Sequence, residues 1–78
     1  MKAAWKYIVY RGDDGRERIA TFPTSTIHAA YAASRGIASA RLVSAGFVTA
    51  EKECFGASSS LHLNSRPRED TALLRGDC

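Results

Sequence analysis

Serine, histidine and aspartate side chains in the last third of this sequence are the first candidates for chemistry. A nucleophile, a general base and an orienting carboxylate are all present as Ser58, Ser59 or Ser60, then His62, then Asp70. A nucleophilic serine normally occupies a strained Gly-x-Ser-x-Gly turn beside backbone groups that bind an oxyanion. The sequence contains no such turn. We therefore expect no catalytic residue and no enzyme activity, and we interpret the serines as a loop.

Two cysteines and two histidines supply the ligand types of a zinc site, namely Cys54, Cys78, His28 and His62. A structural zinc site draws its ligands as close pairs, about two to five residues apart. No two of these four residues are that close in the chain. We expect no metal, interpret both thiols as free, and place His28 on the solvent side of a helix.

Gly12 and Gly15 enclose two aspartates and could suggest a phosphate-binding loop. The loops that hold nucleotide cofactors open a helix, because the helix N-terminus supplies the donors. This cluster is followed by strand-forming residues instead. We expect a turn here, and no cofactor.

Basic side chains are the most informative group, because they concentrate in the first two thirds of a chain whose formal net charge is +3. Residues 1–18 carry five bases and three acids, residues 19–50 carry two arginines and no acid, and residues 51–78 carry four bases and five acids. With no acid nearby in sequence, Arg35 and Arg41 are expected to lack a neutralising carboxylate. This pattern predicts a patch for phosphate or for an acidic protein surface, with an ordinary solvated surface as the alternative. The predicted partner-binding residues are Lys6, Arg16, Arg18, Arg35 and Arg41.

A β-hairpin over residues 1–22 must position the first of these basic residues. Residues 5–10, Trp-Lys-Tyr-Ile-Val-Tyr, are rich in strand formers, and strand character resumes over residues 16–22. The Gly-Asp-Asp-Gly cluster between them tolerates positive φ and favours a tight turn. Alternation along the second strand places Arg16 and Arg18 on one face.

A helix is predicted over residues 25–36. Thr24 or Ser25 can accept a hydrogen bond from the unpaired N–H groups that open it. Alanines dominate this segment, so the helix is slim and can lie close to a sheet, with Ile27 and Tyr31 as its larger anchors.

A second hairpin is predicted over residues 40–57, with Gly46 as a bulge or bend. Alternation in its last strand places Cys54 on one face and Phe55 on the other. Residues 58–78 are expected to form a loop and a short helix or tail, with Leu73 and Leu74 as buried contacts. The expected fold is α+β in the order β-β-α-β-β, a four-stranded antiparallel sheet with one helix packed on one face.

Length and composition indicate one small domain. A chain of 78 residues buries only about 60% of the surface that its unfolded form exposes. Hydrophobic residues make up 45% and charged residues 24%, and no apolar run approaches the roughly 20 residues of a membrane span. No apolar segment follows Lys2 and Lys6, as a secretory signal would require. We expect a cytoplasmic protein without a membrane partner. A homodimer through an open sheet edge also fits.

Residues 7–33 resemble the strand-turn-strand-helix stretch of integrase arm-binding domains. An aromatic strand, a glycine-containing turn and a basic strand lead to the helix entry at Phe22 and Thr24, followed by Ala29 and Ala32. The resemblance implies a small DNA- or RNA-binding module. That family reads DNA with three strands ahead of its helix, whereas two are predicted here.

The chain is also similar to the small anti-CRISPR proteins of phages. The similarity lies in the opening Met1-Lys2-Ala3-Ala4, the aromatic strand after it, and a hairpin and alanine-rich helix in a very short chain. It implies a non-catalytic inhibitor in the cytoplasm of a bacterial host. Such an inhibitor binds a host CRISPR effector or another ribonucleoprotein complex and blocks nucleic-acid access. We take this as the leading hypothesis, with the nucleic-acid-binding module as the alternative.

Overall fold

A computed structural model describes residues 2–76, and over this range it contains six strands and two helices. A 3-10 turn at Ser39–Arg41 precedes the third strand. In chain order the elements are β1 (Trp5–Arg11), β2 (Glu17–Phe22), α1 (His28–Ser34), β3 (Leu42–Val48), β4 (Cys54–Phe55), β5 (Ala57–Ser58), β6 (Leu63–Asn64) and α2 (Pro67–Arg75). The first four strands form an antiparallel sheet in the order β2-β1-β3-β4, and β5 pairs with β6 in a separate ribbon. The predicted α+β class with a four-stranded antiparallel sheet is confirmed.

Each face of the sheet is covered by a different helix. Tyr7 and Val9 of β1 pack with Leu73 and Leu74 of α2, whereas Ile8 between them belongs to the cluster that contains residues of α1. All three β1 side chains are fully buried. A strand buried on both faces is apolar at successive positions, which explains the unbroken Tyr-Ile-Val run. The C-terminal helix therefore has a packing role equal to that of α1.

The first hairpin forms as predicted, with β1 and β2 in register from Lys6 opposite Phe22 to Arg11 opposite Glu17. Gly15 adopts a φ of 78°, which the turn requires. Because β2 begins at Glu17, Arg16 lies in the turn and not on the strand.

Helix α1 begins later than predicted, and its first turn is capped from elsewhere. Neither Thr24 nor Ser25 caps it; the backbone N–H of Ala29 donates to the Ser60 hydroxyl at 3.2 Å, 31 residues along the chain. Ile27 precedes the helix and is 58% exposed. The prediction of Ile27 as a buried anchor is wrong for that reason, and the buried positions are instead His28 and Ala32.

Helix α1 ends in a Schellman motif that points the chain toward β3. The N–H of Gly36 donates to the carbonyl of Ala33 at 3.1 Å, and the N–H of Ile37 donates to that of Ala32 at 3.0 Å. This pair of bonds needs a left-handed residue, and Gly36 has a φ of 69°. Arg35, the residue before it, is thereby held at the exposed end of the helix.

The irregularity of the sheet is not at Gly46, where a bulge was predicted. The register between β1 and β3 shifts between Val9 and Tyr10, opposite the start of β3. Gly46 is needed for another reason, since a Cβ there would lie 2.4 Å from the carbonyl oxygen of Phe55. The predicted alternation of the last sheet strand is confirmed, because Cys54 joins the core under α2 while the Phe55 ring packs against Phe47.

Candidate anion-binding cleft

A cleft of about 910 Å³ lies between the turn of the first hairpin and the C-terminal end of α1. We call it the arginine cleft. The charged residues that line it, together with the tyrosine that contacts one of them, are Arg18, Arg35, Arg41, Asp13, Asp14 and Tyr31. Three of the five predicted partner-binding residues therefore meet in one concave surface.

The local fold explains why three distant arginines converge. Arg18 lies on β2, on the same face as Ala20, which packs toward α1. Arg35 is the C-cap residue of α1, and Arg41 ends the 3-10 turn that leads into β3. The connection between α1 and β3 thus returns the chain to the first hairpin.

Two of the three arginines carry a carboxylate partner from the hairpin turn. Nη1 of Arg41 lies 2.6 Å from Oδ1 of Asp13, and Nη2 of Arg18 lies 3.3 Å from Oδ2 of Asp14. The expectation that Arg41 lacks a neutralising carboxylate is wrong, because the acid comes from a turn 28 residues earlier. Each ion pair is exposed to solvent, so it contributes about 0–1 kcal/mol and can be exchanged for another anion.

Arg35 is held by an aromatic ring instead of a carboxylate. Its Nε donates to the hydroxyl of Tyr31 at 3.2 Å, and its guanidinium carbon lies 5.5 Å from the ring centroid. The hydrogen bond to Tyr31 raises the pKa of the Arg35 guanidinium above its ordinary value. Within residues 2–76 neither Nη atom of Arg35 has a hydrogen-bond partner. These two parallel donors match the two oxygens of a phosphate group.

Lys6 and Arg16, the other two predicted residues, do not join the cleft. Nζ of Lys6 donates to the carbonyl of Thr26 at 2.8 Å, and the side chain lines a separate cavity of about 320 Å³. Arg16 is exposed in the hairpin turn, where its backbone N–H donates to Asp14. The predicted sharing of a face by Arg16 and Arg18 therefore produces no common site.

The residues considered for a catalytic triad have separate structural roles. Asp70 is fully buried and accepts hydrogen bonds from the hydroxyl of Tyr7 and from the backbone and side chain of Arg66. Ser60 caps α1, and His62 is exposed with a φ of 55°. The carboxylate thus serves the packing of α2.

His28 faces the sheet and not the solvent, contrary to the prediction. It is 4% exposed, and its Nε2 lies 2.8 Å from the carbonyl oxygen of Gly46. The rings of Phe22 and Phe47 contact it edge to face, with centroids 5.5 and 5.7 Å away. Burial lowers the pKa of the His28 imidazole, so Nε2 of the neutral ring donates to Gly46 and the side chain anchors the start of α1.

Sequence reasoning missed three members of the cleft, Asp13, Asp14 and Tyr31. The acids were interpreted only as turn formers, although Asp14 and Arg18 are an i, i+4 pair of opposite charge. Tyr31 and Arg35 have the same spacing on a helix, where residues four apart are neighbours. The pairing of Asp13 with Arg41 had no local signal.

Among the described residues no three His, Cys, Asp or Glu side chains gather to hold a metal ion. Cys54 is buried, which raises the pKa of its thiol, and Cys78 lies outside the described residues. No helix within residues 2–76 is long and apolar enough to cross a membrane. No protein-family model, curated protein or solved structure matches the chain.

Proposed function

We propose that this chain is a non-catalytic binding protein that inhibits a host ribonucleoprotein, with the arginine cleft as its docking surface on RNA phosphates. A CRISPR effector in the cytoplasm of a bacterial host is the concrete version of that partner. The observation that carries the proposal is the convergence of Arg18, Arg35 and Arg41 on one concave surface. Occupation of exposed phosphates on the bound RNA would block the approach of a second nucleic acid.

The cleft suits contact with phosphates better than contact with bases. The ring of Phe22 stacks on that of Tyr31 with centroids 4.1 Å apart, and Arg35 lies over the same Tyr31 ring. One face of Tyr31 is therefore closed to a base, and stacking on an aromatic face is how single-stranded bases are usually held. Guanidinium groups bind the phosphate backbone without regard to sequence. This supports an inhibitor that recognises a strand by its backbone.

A free DNA- or RNA-binding module is the alternative. An integrase-like mode would place an open sheet face against DNA, but Tyr7, Ile8 and Val9 of β1 are buried under helices on both faces. This weighs against readout by the sheet and leaves the arginine cleft as the surface for nucleic acid in either case. Steep loss of binding to free nucleic acid with rising salt would favour the module.

Self-association is a further alternative, because β2 is an edge strand of the sheet. An unpaired edge can add a strand from a second copy. Mass measured over a range of protein concentrations tests this alternative directly.

Inhibition of purified effector complexes tests the proposal. A panel of CRISPR effectors loaded with guide RNA is assayed for binding and cleavage of target DNA, with and without the protein. We expect at least one effector to be inhibited, and the Arg35→Glu/Arg41→Glu variant to have lost that inhibition. Arg68→Glu is the control, because Arg68 is exposed on the first turn of α2, outside the cleft. Equal inhibition by both variants would contradict the proposal.

A further inference from the structure

The hairpin turn places two acids inside a cleft that is otherwise basic. Asp13 and Asp14 are adjacent in sequence, and each holds a different arginine of the cleft. We call this pair the acidic turn. Carboxylates at this position weaken the attraction of the cleft for anions, an effect that the aspartates have in addition to their role in forming the turn.

The carboxylates of the acidic turn are placed so that another anion can displace them from their arginines. The Asp13 side chain is 92% exposed and that of Arg41 49% exposed, so solvent surrounds their contact. The second pair is also open, with Arg18 at 56% and Asp14 at 45% exposed. Exposed pairs of this kind exchange readily with other anions. The backbone of the turn does not depend on Asp13, and it uses Asp14 only as an acceptor for the N–H of Arg16.

Arg35 differs from the other two arginines because it has no carboxylate competitor. Its hydrogen bond to Tyr31 engages Nε and leaves both Nη atoms without partners within residues 2–76. A single small anion can therefore bind Arg35 but must compete with a tethered carboxylate at Arg18 or Arg41. A chain of phosphates can begin at Arg35 and then displace both carboxylates, since linked contacts act at high effective concentration.

We propose that the acidic turn is an internal competitor that masks Arg18 and Arg41, so that the cleft selects polyphosphate backbones over isolated anions. This inference rests on the proposed function, because it assumes that the cleft binds RNA phosphates. It makes the turn a specificity element, with Asp13 and Asp14 setting the affinity and Arg35 supplying the first contact. The removal of both charges would broaden and strengthen anion binding.

Fluorescence anisotropy with a labelled oligouridylate of about 12 nucleotides tests the masking. The Asp13→Asn/Asp14→Asn variant is compared with Glu51→Gln/Glu69→Gln, which changes the net charge equally at exposed positions outside the cleft. At low salt we expect the first variant to bind about three to ten times more tightly than the second, because local charge changes alter association more than distant ones do. Inorganic phosphate should compete better against the first variant than against the wild type.

The outcomes separate this inference from the proposed function. Equal affinity of the two acid variants would overturn the masking, whereas retained RNA binding by Arg35→Glu/Arg41→Glu would overturn the proposed function itself. If the wild type bound no measurable RNA, binding gained only by Asp13→Asn/Asp14→Asn would support masking, and its absence would refute it. Asparagine can keep the acceptor for Arg16, and Asp13→Asn alone leaves every hydrogen bond within the turn intact. If the double variant does not fold, Asp13→Asn compared with Glu51→Gln provides the same test at an equal change of net charge.

Discussion

The hydroxyl of Tyr7 donates to Oδ2 of Asp70 at 2.5 Å, across 63 residues of sequence and in the interior of the protein. Asp70 also accepts from the backbone N–H of Arg66 at 2.9 Å and from its Nε at 3.1 Å. Both Tyr7 and Asp70 are fully buried. Burial and the hydrogen bond to Asp70 raise the pKa of the Tyr7 phenol, so it remains a donor. This pair fixes the start of α2 on the central strand β1.

Removal of the Asp70 carboxylate should therefore destabilise the fold severely. We expect Asp70→Ala to lower the free energy of unfolding by about 3–5 kcal/mol, because it leaves the Tyr7 hydroxyl and the Arg66 guanidinium without their buried partner. Tyr7→Phe keeps the contact between Asp70 and Arg66 and should cost about 1–3 kcal/mol. Urea denaturation measures both changes. Arg68→Ala, an exposed change in the same helix, is the control, and an Asp70→Ala variant as stable as this control would refute the role of the pair.

The strands of the sheet and their order along the chain could be predicted because the signals are local, whereas the pairing of β1 with β3 joins distant segments and was not predicted. Residues 5–10 and 16–22 are rich in strand formers on either side of a glycine-containing turn, and the hairpin forms as expected. The cap of α1 could not be predicted, since Ser60 reaches Ala29 from a loop far along the chain. The burial of Asp70 was missed for the same reason, because its partner Tyr7 lies at the opposite end of the sequence.

The cleft was only partly predictable. Charge distribution indicated Arg18, Arg35 and Arg41 as partner-binding residues, and the fold brings these three together. Lys6 was grouped with them on charge alone, but its amine donates to the carbonyl of Thr26, in the loop between β2 and α1. Sequence spacing cannot show which acid faces which base when the contact spans two elements, as it does for Asp13 and Arg41.

Arg66 should not tolerate replacement by lysine, although the charge would be kept. Its guanidinium contacts Asp70 through Nε and Glu17 through both Nη atoms, at 2.8 and 3.2 Å. A lysine amine is a single point and cannot serve two carboxylates in this fork geometry. We expect Arg66→Lys to lose about 1–3 kcal/mol of stability in thermal denaturation. Arg75→Lys is the matched control, since Arg75 is exposed at the end of α2; an equal effect of the two changes would argue against the fork.

The stability of the fold should decrease as the pH is lowered, within a pH range set by the titration of His28. Burial lowers the pKa of the folded-state imidazole, an effect to which the nearby Lys6 charge adds, while the ordinary value is 6.5. As pH falls below 6.5, the unfolded chain binds a proton that the folded chain excludes, so stability is lost until the lowered folded pKa is reached. We expect the unfolding midpoint in urea to drop across this window. His28→Gln should flatten the profile, because an amide can still donate to Gly46 but does not titrate. An unaltered slope in His28→Gln would show that another group is responsible.

Gly46 lies where two strands approach too closely for any side chain. An added Cβ would lie 2.4 Å from the carbonyl oxygen of Phe55 and 3.2 Å from the Cβ of Ser65. The nearer atom belongs to the backbone of β4 and cannot rotate away, so Gly46→Ala must separate β3 from β4 and disturb the carbonyl that His28 contacts. Overpacking of this kind costs about 1–3 kcal/mol or more. Gly15→Ala is the comparison, because open space surrounds Gly15. The alanine would meet no neighbouring atom there, and its only penalty is a φ of 78°, which costs a residue with a Cβ about 1–2 kcal/mol. Amide hydrogen exchange should show lost protection in β3 and β4 for Gly46→Ala alone; protection retained there would mean that the sheet can absorb the methyl group.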